Sequence, residues 1–349
     1  LRALGLWPGL KAAVWPVRQI HVSERGRFGT ARIDAAEQGV DELGFVIKSH
    51  ALGRALWSRI RESAGLSVFC PARVTAVAPP ADGGRQLTLT ESSGAERTLN
   101  TRLLAIADGA RSPLRAAVGI DATEHDYAQV AVICSVQVPA RYAGNIAYER
   151  FTSAGPLAML PGSEGRYTAV LARPAVAAPT LLAQDDAQFL AGLQRLFGWR
   201  LGRLQRVGRR SSYPLALTTA AALTAPRAVV VGNAANSLHP VAGQGFNLGL
   251  RDVASLAELL AAAARENADP GAVKVLDAYA DWRQRDQRAV VRFTDGLIRF
   301  FGVDASGIAA ARGLGLTMLD MSVSGKRALA RQTMGLTGRR TRLSRDLPL

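Results

Sequence analysis

The chain has 349 residues, 48% of them hydrophobic, and a net charge of +15. That length can build two interleaved domains around a substantial core, and no uninterrupted run of about 18 apolar residues occurs, which excludes a membrane-spanning helix. Only Cys70 and Cys134 are present, which excludes a disulfide scaffold, and the histidines His21, His50, His125 and His239 lack metal-ligand spacing.

In chain order, Arg18-Gln-Ile-His-Val-Ser23 and Gly29-Thr-Ala-Arg-Ile33 read as paired strands. In Leu43-Gly-Phe-Val-Ile-Lys-Ser-His-Ala-Leu-Gly-Arg-Ala-Leu-Trp57, Leu52 and Leu56, with Ile60 beyond, mark one face of a helix that runs to about Ser63. Short strands fill residues 68–104, with a turn at Asp82-Gly83-Gly84. An apolar strand then delivers Asp108-Gly109 within Leu103-Leu-Ala-Ile-Ala-Asp-Gly-Ala-Arg-Ser-Pro-Leu-Arg115, where Ser112-Pro113 can start a helical turn. Between 128 and 217 strands dominate, at 130–138, 147–151, 157–160 and 167–172, with one helix near 187–197. The segments Tyr148-Glu-Arg-Phe-Thr152 and Gly155-Pro-Leu-Ala-Met-Leu-Pro161 read there as sheet structure rather than as ligands.

The richest stretch is Arg227-Ala-Val-Val-Val-Gly-Asn-Ala-Ala-Asn-Ser-Leu-His-Pro-Val-Ala-Gly-Gln-Gly-Phe-Asn-Leu-Gly-Leu-Arg-Asp252. Its β-branched run suits a strand covered on both faces. Gly232 lets the backbone turn at the strand's carboxyl end, where open α/β sheets place ligands. Gly243 and Gly245 strip side chains from the loop entering the next helix, so backbone N–H groups are bared at its positive end. Such a place suits a cofactor with partial or full negative charge.

Residues 276–299 predict a helix with apolar residues on one face and arginines on the other, packed on the sheet. Basic residues then gather at Lys326, Arg327, Arg331, Arg339, Arg340, Arg342 and Arg345, against Asp346. They read either as a solvated tail or as an attraction to anionic lipid head groups. No recognition motif or interleaved aromatic residue accompanies them, which argues against nucleic acid.

The 227–252 segment resembles the second flavin motif of the FAD-dependent aromatic hydroxylases, the p-hydroxybenzoate-hydroxylase-like flavoproteins. Within them it is most similar to the ubiquinone-biosynthesis branch, the polyprenyl methoxyphenol hydroxylases. The Asp108-Gly109 and Leu52-Gly-Arg-Ala-Leu56 segments resemble two further motifs of that family. The resemblance implies an α/β fold, in which an FAD/NAD(P)-binding domain is interleaved with an antiparallel-sheet substrate domain and followed by C-terminal helices. The expected divisions are 44–120 with 226–270 for the FAD-binding domain and 1–43 with 121–225 for the substrate domain. Residues 271–349 would form the helical region with its basic tail.

The same resemblance implies roles. Gly232 and Asn233 would meet the flavin ribityl chain, with Asn where many relatives carry Asp. Asp108 and Gly109 would order the pyrophosphate, with Arg111 or Arg115 supplying charge. Ser49, at the place of a longer polar residue in the family, and Arg54 would face the cofactor. Backbone N–H groups around Gly243, Gly245, Phe246 and Asn247 would stabilise negative charge on the flavin ring, and Pro240 and Val241 would line its substrate face. His239 is a candidate base for the phenol, against the alternative of a packed, hydrogen-bonded histidine. NAD(P)H would reduce FAD, and molecular oxygen would supply the atom placed on a polyprenylated phenol. The implied setting is cytoplasmic, at the anionic surface of a bacterial inner membrane, alongside other ubiquinone-biosynthesis proteins.

The family also carries a Gly-x-Gly-x-x-Gly turn between a strand and a helix, which cradles the adenosine half of FAD. No such turn occurs in this sequence. The expectation is a chain lacking a βαβ unit of ~30 residues, with an unpaired sheet edge, weak FAD binding or none, and an activity that belongs to the longer protein. Two other readings stay open. One is another FAD-dependent oxidoreductase of this fold, such as an isoprenoid reductase or a halogenase. The other is a non-catalytic scaffold that binds lipid or quinone.

Overall fold

The computed structural model describes residues 1–81, 83–302 and 306–349, so Asp82 of the expected 82–84 turn lies outside the described residues. The alternating strands between 122 and 220 build most of a nine-stranded sheet. Its order is Asn236–Ser237, Ser211–Ala220, Ala122–Gln137, Arg166–Pro174, Leu157–Pro161, Ile146–Phe151, Gln19–Glu24 and Thr30–Asp34, with Arg206–Val207 added beside Ala122–Gln137. Every pairing is antiparallel except Ile146–Phe151 against Gln19–Glu24, which is parallel. The expected antiparallel sheet is therefore mixed at one junction. There two stretches of chain far apart in sequence meet, and side-chain alternation carries no information about strand direction.

One face of this sheet is covered by the helix Asp186–Phe197, whose Phe189, Leu193 and Phe197 pack with Cys134, Met159 and Tyr167. Successive strand residues point to opposite faces. Tyr148 therefore joins this core, edge-on to Phe197 at 5.3 Å between ring centroids, while its neighbours Ala147 and Glu149 face the other way.

A second sheet holds Thr224–Ala225, Ala228–Val230 and Leu104–Ile106, the last two parallel. Ala228, Val229 and Val230 are wholly buried, as the β-branched run predicts for a strand covered on both faces. Among the described residues, the other edge of Leu104–Ile106 has no strand partner. An antiparallel sheet of Ala72–Val77, Arg85–Glu91 and Glu96–Thr101 completes the 68–104 region.

The expected 276–299 helix spans Val273–Gly302, but its buried face is not purely apolar: Arg283, Gln287 and Thr294 lie inward beside Leu276, Tyr279 and Val290. The reason is a buried acid on the neighbouring helix Gln244–Arg265, described below. The basic end is packed rather than a free tail, although Arg327, Arg331, Arg339, Arg340 and Arg345 stay exposed on it. Helices Ser306–Met321 and Val323–Thr333 pack back on the body. Arg32 pairs with Asp320 at 3.0 Å, Lys326 with Glu37 at 2.6 Å, and the Arg342 N–H donates to Glu258 at 2.6 Å. Among the described residues no helix is long and apolar enough to cross a membrane.

Candidate active site

The two loop motifs meet because their strands are parallel neighbours. Ile106 sits opposite Val230, so the chains leading to Asp108 and to Gly232 leave the sheet at the same edge, the carboxyl ends of the strands. Ser112 caps the short helix Pro113–Ala117 by accepting from the Arg115 N–H at 2.9 Å, and the Asp108 carboxylate accepts from the Leu114 N–H at 3.3 Å. Arg115 turns inward. Buried, it donates to the carbonyls of Ala234 at 2.7 Å and Ala110 at 3.3 Å, clamping one loop to the other. Of the two arginines expected to supply charge, Arg111 alone stays exposed.

Gly232 has φ +60, and a Cβ there would meet nothing within 4 Å. The left-handed backbone favours glycine, and the open space above leaves room for a ligand to approach the chain. From below, a Cβ on Gly249 would come within 3.1 Å of the Gly232 Cα, so helix Gln244–Arg265 is drawn tight against the turn. Asp252 on that helix is fully buried and accepts from the Gly232 N–H at 3.1 Å, Arg283 Nε at 2.8 Å and Gln287 Nε2 at 2.9 Å. Burial pushes its carboxyl above the ordinary value, against the pull of Arg283, Gln287 and the Gly232 N–H. Burial alone would lower Arg283, but Asp252 and Asp286 hold it above its usual range. Tyr279 Oη donates to the Val230 carbonyl at 3.2 Å, fixing the strand end from the same side.

The entrance to that helix is unusual. Ala242 and Gly243 are both left-handed, at φ 58 and φ 60, and no side chain caps the helix. Its first-turn N–H groups therefore lack an internal acceptor, at the end where the helix dipole is positive. Gln244 braces the bend, donating to the carbonyls of Ala242 at 3.1 Å and Thr333 at 3.0 Å.

A cavity of about 1700 Å³ opens in front of this terminus. One wall is the apolar face of the large sheet, including Ile20, Ile33, Ala147 and Leu160; the opposite wall comes from Trp282 and the 332–341 segment. Pockets for a single small ligand run to about 1,000 Å³, so this one has room for two.

Six expected residues line it: Asn233, Pro240, Gly243, Gly245, Phe246 and Asn247. Gly232 sits behind Asn233, and Asp108 and Gly109 lie at the adjoining strand end, off the wall. Ser49 and Arg54 are exposed on helix Ser49–Glu62, which follows a strand whose Gly44 and Phe45 do line the cavity. Two expected residues are turned away. Val241 is 3% exposed and His239 1%, and neither is on the wall. His239 Nδ1 accepts the Val241 N–H at 3.2 Å, so its proton resides on Nε2, and burial lowers its pKa to about 4. The ring packs edge-on to Tyr127 at 5.4 Å. Its Nδ1 is engaged by the Val241 N–H, while its Nε2 is buried without a hydrogen-bond partner and off the cavity wall.

The carboxylate on the sheet wall of the cavity is Glu149, with Asp281 and Asp286 on the helix wall opposite; the sequence presents Glu149 only as one residue of a strand. Glu149 is enclosed by protein yet open to the cavity, and burial raises its pKa from 4.5 to about 7, while an Ala242 N–H donated to it pulls the other way. Strand parity is the one sequence signal that could have placed it: Glu149 shares a face with Ala147, out of register with Tyr148 of the helix-covered core.

The open left-handed glycines, the uncapped helix terminus and the size of the cavity fit the ring and ribityl portion of an FAD molecule. Residues 1–294 match the family model of the FAD binding domain, and the chain belongs to this flavoprotein family. It is 37% identical over 353 residues to ubiquinone hydroxylase UbiL of Rhodospirillum rubrum, covering 100% of this chain and 80% of that protein. It is 29% identical over 339 residues to 3-demethoxyubiquinol 3-hydroxylase of Escherichia coli, covering 96% of this chain and 84% of that protein. Among solved structures, p-nitrophenol 4-monooxygenase PnpA of Pseudomonas putida shares the fold with a TM-score of 0.78 at 18% identity, covering 97% of this chain and 87% of that one.

Proposed function

We propose that this protein is an FAD-dependent hydroxylase of ubiquinone biosynthesis, placing oxygen on the ring of a polyprenylated phenol with NAD(P)H and molecular oxygen. The observation that carries this reading is one cavity shared by an uncapped helix terminus and an apolar sheet face. Asn233 and the backbone of Gly243, Gly245, Phe246 and Asn247 hold the flavin in this reading, with Asp108 and Gly109 toward its pyrophosphate and Ser49 and Arg54 flanking. FAD, when bound, supplies the activation of oxygen; the chain orients the two rings and excludes water. First-turn N–H groups stabilise negative charge on the flavin ring, and Pro240 borders the substrate side. Residues 44–120 and 226–270 serve the cofactor, and 1–43 and 121–225 the substrate.

A second surface supports work at a lipid interface. Ile308, Leu314, Met318, Met321 and Val323 are exposed on the last helices, beside Arg327 and Arg331. Basic residues near an anionic bilayer contribute about 1 kcal/mol each. Sedimentation with vesicles tests this: binding to anionic and not to neutral vesicles is expected, and equal binding or none removes the membrane from the reading.

The deciding experiment supplies FAD, NAD(P)H and a methoxyphenol bearing one prenyl group, and measures both flavin binding and a product heavier by one oxygen. NAD(P)H consumption without oxygen on the ring would favour the isoprenoid reductase. No flavin binding with retained phenol binding would favour the scaffold.

A further inference from the structure

We infer that Glu149 is a catalytic residue of the hydroxylation: its carboxylate takes the phenolic proton as the substrate ring accepts oxygen. The inference rests on the hydroxylase reading and adds to it the base, on the cavity wall that His239 does not reach.

The placement follows from sheet register. Glu149 pairs with Ala158 on one side and Val22 on the other, and the row continues from Ala158 to Val170. The row above it, on the same face, is Ala147, Ile20 and Ile33. Glu149 is thus the acid in an apolar patch, at the height where the sheet faces the Ala242–Gly243 bend. A phenol ring lying on this patch, with its face toward the helix terminus, brings its hydroxyl to the carboxylate.

Several nearby charges are committed elsewhere, while Asp281, Arg285, Arg339 and Arg340 also stand on the cavity wall. On its own strand Arg150 points to the opposite face, donating to the Leu196 carbonyl at 3.0 Å and Ser23 Oγ at 3.2 Å. Across the cavity, Arg283 pairs with Asp252 at 2.8 Å and with Asp286 at 2.7 Å, and Arg251 pairs with Asp286 at 3.1 Å. From the loop the Ala242 N–H lies near enough to favour the ionised carboxylate, which stays open to the cavity for the substrate.

The chemistry balances. The phenol O–H bond breaks, its electron pair enters the ring, and the ring carbon bonds to one oxygen of the O2 reduced by two electrons from NAD(P)H as the O–O bond breaks. The other oxygen leaves with that bond's electron pair and is protonated to water. The proton passes to Glu149. When the ring regains aromaticity, the proton on the attacked carbon leaves to water and Glu149 returns its own proton to solvent. A general base works best with a pKa near the working pH, and the enclosure of Glu149 raises its pKa to about 7.

Two measurements test this, one without flavin. In cofactor-free protein, calorimetric binding of the prenylated methoxyphenol should tighten about tenfold as pH rises through 7, because the ionised carboxylate accepts a charge-assisted hydrogen bond. In Glu149→Gln the affinity should not change with pH. With FAD and NAD(P)H supplied, E149Q should lose roughly 10²- to 10⁴-fold in kcat, with KM changed far less. It should also lose the acid limb of the rate profile, which Glu149→Asp should partly restore. A melting temperature at or above wild type separates this from a folding defect. Flat phenol binding in the wild type overturns the inference. So does an E149Q protein that keeps both kcat and acid limb while the wild type hydroxylates, and there the hydroxylase reading stands. A wild type that binds FAD and phenol yet forms no hydroxylated product sinks both.

Discussion

Asp252 and Glu149 are both enclosed carboxylates at the ends of one glycine-rich segment, and they are treated in opposite ways. Asp252 receives three donors, one of them a buried arginine, and is reached by no solvent. Glu149 has only the Ala242 N–H near it to favour its charge and opens on a cavity. The contrast separates a structural charge from an available one. A carboxylate whose lone pairs are all engaged fixes a turn; one left partly unsatisfied stays raised in pKa and ready to exchange a proton.

The largest test of that contrast is Asp252→Ala. It leaves the Arg283 guanidinium, 2% exposed, with Asp286 as its remaining carboxylate partner. Breaking one side of a buried pair costs about 3–5 kcal/mol, which urea unfolding should read directly. Replacing Asp252 and Arg283 together with leucines should recover most of that loss. A double variant as unstable as the single one would mean that the Gly232 N–H bond, and not the ion pair, holds the turn.

Glu149→Gln should act in the other direction. A carboxyl raised from 4.5 to about 7 on folding binds its proton more tightly in the native state. Stability is therefore lost as pH rises from 4.5 to 7 and stays level above, by at most about 3 kcal/mol at 1.36 kcal/mol per unit. His239 opposes it: with a folded pKa near 4 against 6.5, its contribution is present above 6.5 and lost as pH falls toward 4. The two effects partly cancel in the wild-type curve, so the difference between wild type and E149Q is the quantity to follow. That difference should grow between pH 4.5 and 7, with E149Q the more stable, and a pH-independent difference would show Glu149 to be solvated after all.

These residues also mark how much the sequence could say. The strand, the Gly232 turn, the helix after Gly243 and the Ser112 cap were legible because each depends on local backbone demands: β-branched runs, positive φ, a hydroxyl at a helix start. Arg115, Arg283 and Glu149 were not. Arginine next to arginine along 276–299 reads as a solvent face, and only the tertiary position of Asp252 draws Arg283 inward. Glu149 differs from a surface strand acid by one residue of register and by the loop that later closes over it. Charge placement in a core is set by partners distant in sequence, so composition and spacing do not encode it.

Tyr279→Phe tests the fixed end more gently. The lost bond to the Val230 carbonyl should cost about 1 kcal/mol, the usual net value of a buried neutral hydrogen bond. The ring remains and packs as before, so thermal unfolding should shift by a few degrees at most while phenol binding at the Glu149 end is untouched. A drop in phenol affinity would mean that the two ends of the segment are mechanically linked rather than separately held.

The smallest expected effect lies where the two regions join. Ala242 is left-handed without being glycine, at φ 58, and its N–H helps to offset the burial that raises the Glu149 pKa. That conformation costs an L-residue about 1–2 kcal/mol, and Ala242→Gly would relieve it while adding about 0.4–1 kcal/mol of unfolded-chain entropy. The two nearly cancel, so stability should change by less than about 1 kcal/mol, toward the glycine variant. The backbone N–H survives the change, so the acid limb assigned to Glu149 should stay in place. If stability falls instead, the Ala242 methyl contributes packing that outweighs its strain. If the acid limb moves with it, the bend tunes Glu149 through its geometry, and the division between a fixed end and an available end lies at Gly243 rather than at Ala242.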